Sequence, residues 1–104
     1  MADPLLEILW VMDGDTVRNA VSLEEWAEFM AGPSRQIRYE TVGGMNVSTI
    51  FLGTEASGGH LFETAVWPDG VAVRVVRRYR TRTEAVAGHY QSVAAIQKGQ
   101  DPSD

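Results

Sequence analysis

Gln36-Ile37-Arg38-Tyr39-Glu40-Thr41, then Gly43-Gly44, then Asn46-Val47-Ser48-Thr49-Ile50-Phe51-Leu52-Gly53 is the stretch that decides the fold. Ile37, Tyr39 and Thr41 alternate with Gln36, Arg38 and Glu40, the period of a strand with one solvated face. The glycine pair supplies a tight turn. The second run is β-branched and apolar on both parities toward its end, which predicts a central strand covered on both sides and ending at Gly53. Thr54 to Gly59 reads as a loop and His60 to Trp67 as a third strand. Pro68-Asp69-Gly70 is a hairpin turn. Val71 to Tyr79 returns as a fourth strand, with Val71, Val73 and Val75 on one face and Arg74 and Arg78 on the other.

Two capping boxes frame this antiparallel meander. In Ser22-Leu23-Glu24-Glu25 the serine hydroxyl can accept from the N–H of Glu25, so a helix is expected from there to Gly32-Pro33. Leu23, Trp26, Ala27 and Met30 fall at helical spacing, while Glu24, Glu25 and Glu28 face out. Thr81-Arg82-Thr83-Glu84 repeats the box, and Ala85, Val86, His89, Tyr90, Val93, Ala94 and Gln97 trace the stripe of a second helix reaching about Lys98. Leu5 to Met12, between Pro4 and Asp13-Gly14-Asp15, suits a short strand, with a helix as the alternative. The expected architecture is α+β: an antiparallel β-meander packed with one helix in the N-terminal half and one C-terminal helix. Residues 1–99 form one domain, and residues 100–104 are expected to be a disordered polar tail.

At 104 residues with 44% hydrophobic and 22% charged content, the chain has the composition of a single globular domain. It has no cysteine, which excludes disulfides and thiolate metal sites. No run approaches the roughly 20 apolar residues of a membrane span, and a cytoplasmic location is the expectation. The net charge is −5, which disfavours bulk nucleic-acid binding. The charge is uneven. Five of nine basic residues, Arg74, Arg77, Arg78, Arg80 and Arg82, lie within nine positions free of acids, so four basic against 14 acidic residues leave −10 elsewhere.

Val47-Ser48-Thr49-Ile50-Phe51-Leu52-Gly53, Leu61-Phe62-Glu63-Thr64, and Arg78-Tyr79-Arg80-Thr81 followed by Glu84-Ala85 and Gly88-His89 occur in order over about the C-terminal half. This set resembles a family of small bacteriophage, prophage and actinobacterial proteins, whose pattern is Val-Ser-Thr-Val-Phe-Leu-Gly, Leu-Phe-Glu-Thr-Met and Arg-Tyr-Ser-Thr-Trp with Glu-Ala and Gly-His downstream. The chain departs from it where Thr54-Glu55-Ala56 stands for Leu-Asp-His and Arg82 for tryptophan. The resemblance implies a phage or prophage setting and a soluble domain, and carries no particular activity.

The arginine run ends at the cap of the second helix, where guanidinium groups, unpaired N–H groups and hydroxyls together suit a phosphate or carboxylate. The ligand-binding set expected from this is Arg74, Arg77, Arg78, Tyr79, Arg80, Thr81, Arg82 and His89, with tyrosine to stack on a base and imidazole to donate to a phosphate. Strand alternation puts Arg74 and Arg78 on one face and Arg77 opposite. The plainer alternatives are solvated arginines paired with acids, and core packing for the tyrosine and the helix histidine. Glu63, in an apolar strand, calls for a partner such as Arg74 or Arg77. His60 and His89 lack the spacing of a catalytic or metal motif, so no catalytic residue, metal or cofactor is expected.

Three functions follow in order of preference. The first is sequestration of an anionic nucleotide-like molecule, such as a host immune second messenger, by a homo-oligomer acting as an anti-defence sponge. The second is an interaction module docking an acidic host or phage protein. The third is a small nuclease or cyclic-nucleotide hydrolase using His60 or His89.

Overall fold

A computed structural model describes residues 3–56 and 58–103. Ser57, in the expected loop, and Asp104, the last residue of the expected tail, lie outside the described residues. The fold is α+β, with strands β1 (Trp10–Asp13) and β2 (Thr16–Asn19), helix α1 (Leu23–Ala31), strands β3 (Gln36–Val42), β4 (Met45–Ala56), β5 (His60–Pro68) and β6 (Arg74–Tyr79), and helix α2 (Arg82–Gln97). β1 and β2 form a small hairpin, and β3-β4-β5-β6 form a four-stranded antiparallel meander. No helix among the described residues is long and apolar enough to cross a membrane.

Both capping boxes act as helix starts. Ser22 Oγ accepts from Glu25 N at 3.1 Å and Thr81 Oγ1 from Glu84 N at 3.1 Å. The buried stripes differ from those expected. On α1 the residues turned to the core are Trp26, Phe29 and Met30, while Leu23 is 54% exposed and Ala27 also faces solvent. On α2 they are Ala85, Gly88, His89, Ser92 and Val93, so Ala85, His89 and Val93 of the expected stripe are buried, Val86 and Ala94 are half-buried, and Tyr90 and Gln97 face solvent. Small residues explain the rotation, because Gly88 and Ser92 allow the helix to lie close on the sheet. Ser92 satisfies its hydroxyl by donating to Gly88 O at 2.9 Å.

Four further differences bear on the surface. The run from Leu5 begins as a 3-10 turn, Pro4–Ile8, capped by Asp3 and started by Pro4, so its strand begins only at Trp10. β4 continues past Gly53 to Ala56, because the positive φ of 76° at Gly53 bends the strand without ending it. Trp26 Nε1 donates to Gly53 O at 3.1 Å, which seats α1 on that bend. The face of β4 bearing Val47, Thr49 and Phe51 is buried, but Ser48, Ile50 and Leu52 are only half-buried, so the strand is fully covered on one side alone. β6 starts at Arg74, leaving Val71 and Val73 outside the sheet at 58% and 60% exposure.

Candidate functional site

The order of residues along β6 is not the simple alternation of the sequence. Thr64 pairs with Arg77 and Ala65 with Val75, so Val76 is an inserted residue. Such a bulge shifts the parity of the side chains. Arg77 therefore joins Arg74 on the α2 side, and Arg78 projects from the other face, where its Nε lies 3.5 Å from Glu63 Oε2. Glu63 is thus partnered by Arg78 rather than by Arg74 or Arg77.

The remaining arginines reach separate acceptors. Arg80 donates to Gly58 O at 2.9 Å, and Arg82 pairs with Asp15 of the β1–β2 turn at 3.0 Å. Arg77 donates to Gln91 Oε1 at 2.7 Å and to Pro102 O at 2.8 Å. Arg74 donates to Ser103 Oγ at 3.1 Å and lies 3.5 Å from Asp101. The segment from Asp101 to Ser103, expected to be part of a disordered tail, is therefore laid along the α2 side of β6, with Pro102 buried. Asp101 accepts from the Ser103 backbone N–H and side chain and faces Arg74, which together hold its carboxyl below the ordinary carboxylate range. At the α2 cap, the Thr81 hydroxyl and the Glu84 carboxylate bond one another at 3.0 Å, placing a negative charge where an anion was expected. Arg77, Arg78, Tyr79 and Glu84 do share one shallow groove with Gly88 and Gln91.

Tyr79 and His89 belong to a different construction. Tyr79 is 7% exposed and His89 fully buried. A chain of hydrogen bonds joins them: Tyr79 Oη to Thr64 Oγ1 at 2.9 Å, Thr64 Oγ1 to Thr49 Oγ1 at 2.5 Å, Thr49 Oγ1 to His89 Nδ1 at 2.8 Å, and His89 Nε2 to Glu40 Oε1 at 2.9 Å. With neutral imidazole protonated on Nε2, each group finds a complementary role: Tyr79 donates to Thr64, Thr64 to Thr49, Thr49 to Nδ1, and Nε2–H to the carboxylate. Burial pushes the His89 pKa below its ordinary value; the Glu40 carboxylate opposes that shift and Arg38 adds to it. Gly88 makes room for the Tyr79 ring, since a Cβ there falls 2.1 Å from Tyr79 Cε1. Thr49, Thr64, Tyr79, Gly88 and His89 come from the three motif segments, so those motifs meet in the core as a packing and hydrogen-bonding unit.

His60 begins β5, half-buried, on another part of the molecule's surface layer. Its ring lies against Gly58, where a Cβ would be 3.1 Å from His60 Cε1.

Sequence reasoning did not single out the exposed valines beside the arginines. Val71, Val73 and Val75 are 58%, 60% and 42% exposed, and Val75, Val76, Arg77 and Arg78 line a groove of about 350 Å³ along the free edge of β6. The available signal was their place in or just before the outermost strand of a meander, where backbone groups lack a neighbour. Comparison of the chain with known protein families, with curated proteins and with solved structures finds no significant match.

Proposed function

We propose that the domain is an interaction module whose basic edge strand receives an extended acidic segment of a partner protein. The observation that carries this reading is the chain's own Asp101-Pro102-Ser103, laid on Arg74 and Arg77 by a carboxylate, a backbone carbonyl and a hydroxyl. Every acidic peptide offers the carboxylate and the carbonyl, and one with serine or threonine offers the hydroxyl. The arginines are strung along an edge and over both faces of the sheet, which suits a linear ligand better than one compact phosphate group. The exposed valines add apolar contact beside the charge. In the setting implied by the motif resemblance, the partner is a host or phage protein.

Fluorescence anisotropy of a labelled Asp/Glu-rich peptide against the purified protein tests this. Binding that weakens with salt, falls at least tenfold in Arg74→Ala/Arg77→Ala, and strengthens when residues 100–104 are removed is the expected result. Absence of binding at low salt, or binding indifferent to both arginines, overturns it. A thermal shift with a nucleotide that disappears in Arg78→Ala moves the assignment to nucleotide sequestration instead.

A further inference from the structure

The meander has two outer strands, β3 and β6, and their sequences accept different neighbours. Two of the central registers in which β6 could meet a copy of itself are opposed by charge. Antiparallel self-pairing about Val76 sets Arg74 against Arg78, and pairing about Arg77 sets that arginine against its own copy, both like-charge contacts.

β3 has the opposite property. At its centre stands Arg38-Tyr39-Glu40. Gly43 and Gly44, with φ of 55° and 78°, form the two-residue turn that places Val42 opposite Met45 as the closing hydrogen-bonded pair. Alternation then makes Glu40–Val47 and Arg38–Thr49 hydrogen-bonded pairs as well, so Tyr39 and Thr41 turn their N–H and C=O groups to the free edge. The strand contains no proline, and its bulge is confined to the start, between Gln36 and Arg38, so neither of these devices guards the edge around Tyr39.

We infer that β3 pairs with β3 of a second copy of this chain, antiparallel about a two-fold axis at Tyr39, to make one continuous sheet across two subunits. The two Tyr39 residues exchange backbone hydrogen bonds. Arg38 comes to stand opposite the partner's Glu40, and Glu40 opposite the partner's Arg38, so the charge pattern is self-complementary. The groups needed are accessible: Arg38 is exposed, and the Glu40 side chain stays 38% exposed while bonded to His89. Two aromatic residues flank the edge. Tyr39 is 52% exposed on the open face of the sheet, and Tyr90 is 45% exposed on α2, its ring 5.4 Å from the Arg38 guanidinium. Half-exposed aromatics beside arginine are typical contact anchors. β6 lies at the opposite side of the sheet, so this pairing leaves the basic edge open and stands or falls separately from the acidic-partner reading.

The absence of cysteine makes a direct test possible. Residues in a hydrogen-bonded antiparallel pair have Cα atoms about 5.5 Å apart, within the range a disulfide spans. Tyr39→Cys should cross-link to a covalent dimer under mild oxidation at least tenfold faster than Val75→Cys, which places an exposed thiol beside the other edge. Sedimentation equilibrium of the unaltered chain should show a monomer–dimer equilibrium that shifts to monomer with salt and at least tenfold with Arg38→Glu, circular dichroism confirming that this exposed-site variant is folded. A monomer at every concentration overturns the inference. So does a dimer indifferent to Arg38→Glu, or a Val75→Cys variant that cross-links as fast as Tyr39→Cys.

Discussion

Alanine for glycine inside a helix normally stabilises, by about 1 kcal/mol. At Gly88 the structure reverses that sign. The new methyl falls 2.1 Å from Tyr79 Cε1 and 2.2 Å from its hydroxyl oxygen, and the ring is held between α2 and the sheet with 7% exposure. Either α2 lifts or Tyr79 is expelled, and overpacking of this kind costs about 1–3 kcal/mol. Displacing the ring also forfeits its 2.9 Å bond to Thr64, worth about 1 kcal/mol. With the helix-propensity gain subtracted, Gly88→Ala should destabilise by roughly 1–3 kcal/mol. For a domain of this size that is a fall of about 5–20 °C in Tm. Urea denaturation followed by circular dichroism measures it. The decisive comparison is the same substitution in a Tyr79→Ala background, where the obstruction is gone and Gly88→Ala should become stabilising by up to about 1 kcal/mol. Stabilisation by Gly88→Ala in the parent chain, or equal effects in the two backgrounds, would refute the packing argument.

Acid should act through His89. Its folded-state pKa is lowered, so the unfolded chain binds the proton first; stability is complete above about pH 6.5 and declines as pH falls from there toward the folded-state pKa. The decline, read from denaturant midpoints across pH, should be reduced in His89→Gln, and an identical profile in that variant would exclude His89 as its source. A second acid-sensitive contact joins the β1–β2 hairpin to α1. Arg18 donates to both Glu25 oxygens at 2.9 Å, and with the Val21 N–H it holds the Glu25 carboxyl down to about 2. That contribution is present above about pH 4.5, where the unfolded chain's glutamate ionises, and is lost as pH falls toward 2. Glu25→Gln should lower Tm at neutral pH and have a progressively smaller effect below pH 4; an undiminished effect at pH 2 would show that charge is not responsible.

The elements written in local chemistry were legible from the chain. Ser22 and Thr81 marked both helix starts, Gly43-Gly44 and Pro68-Asp69-Gly70 marked turns, alternation gave β3 and β-branched content gave β4, whereas β2 (Thr16–Asn19) carried too short a pattern to be read. What depended on non-local packing was not. The face of α2 is set by Gly88 under Tyr79, a contact between residues on separate elements, and the apolar side chains of that helix are spread too evenly to reveal it. A single inserted residue, Val76, exchanged the faces of Arg77 and Arg78, so that Arg77 rather than Arg78 sides with Arg74, and bulges leave no periodic signature. The arginine cluster was visible as charge, but whether its members meet is a matter of strand geometry and of the acceptors supplied by Gly58, Glu63, Asp15 and Asp101. The motif residues were recognised as a set, although nothing in their spacing shows that they join hand to hand across β4, β5, β6 and α2.

The chain of hydroxyls beneath α2 also works as a lock on strand alignment. A slip of one residue between β4 and β5 would carry Thr64 to the opposite face, leaving Thr49, His89 and the Tyr79 hydroxyl to seek other partners in a dry interior. Each buried polar group so abandoned costs about 1–3 kcal/mol. The slip would carry Phe62 and Val66 to the wrong face as well. Apolar contact is not directional, however, so the threonines add to the pairing of the two central strands a demand on alignment that hydrophobic burial alone does not make.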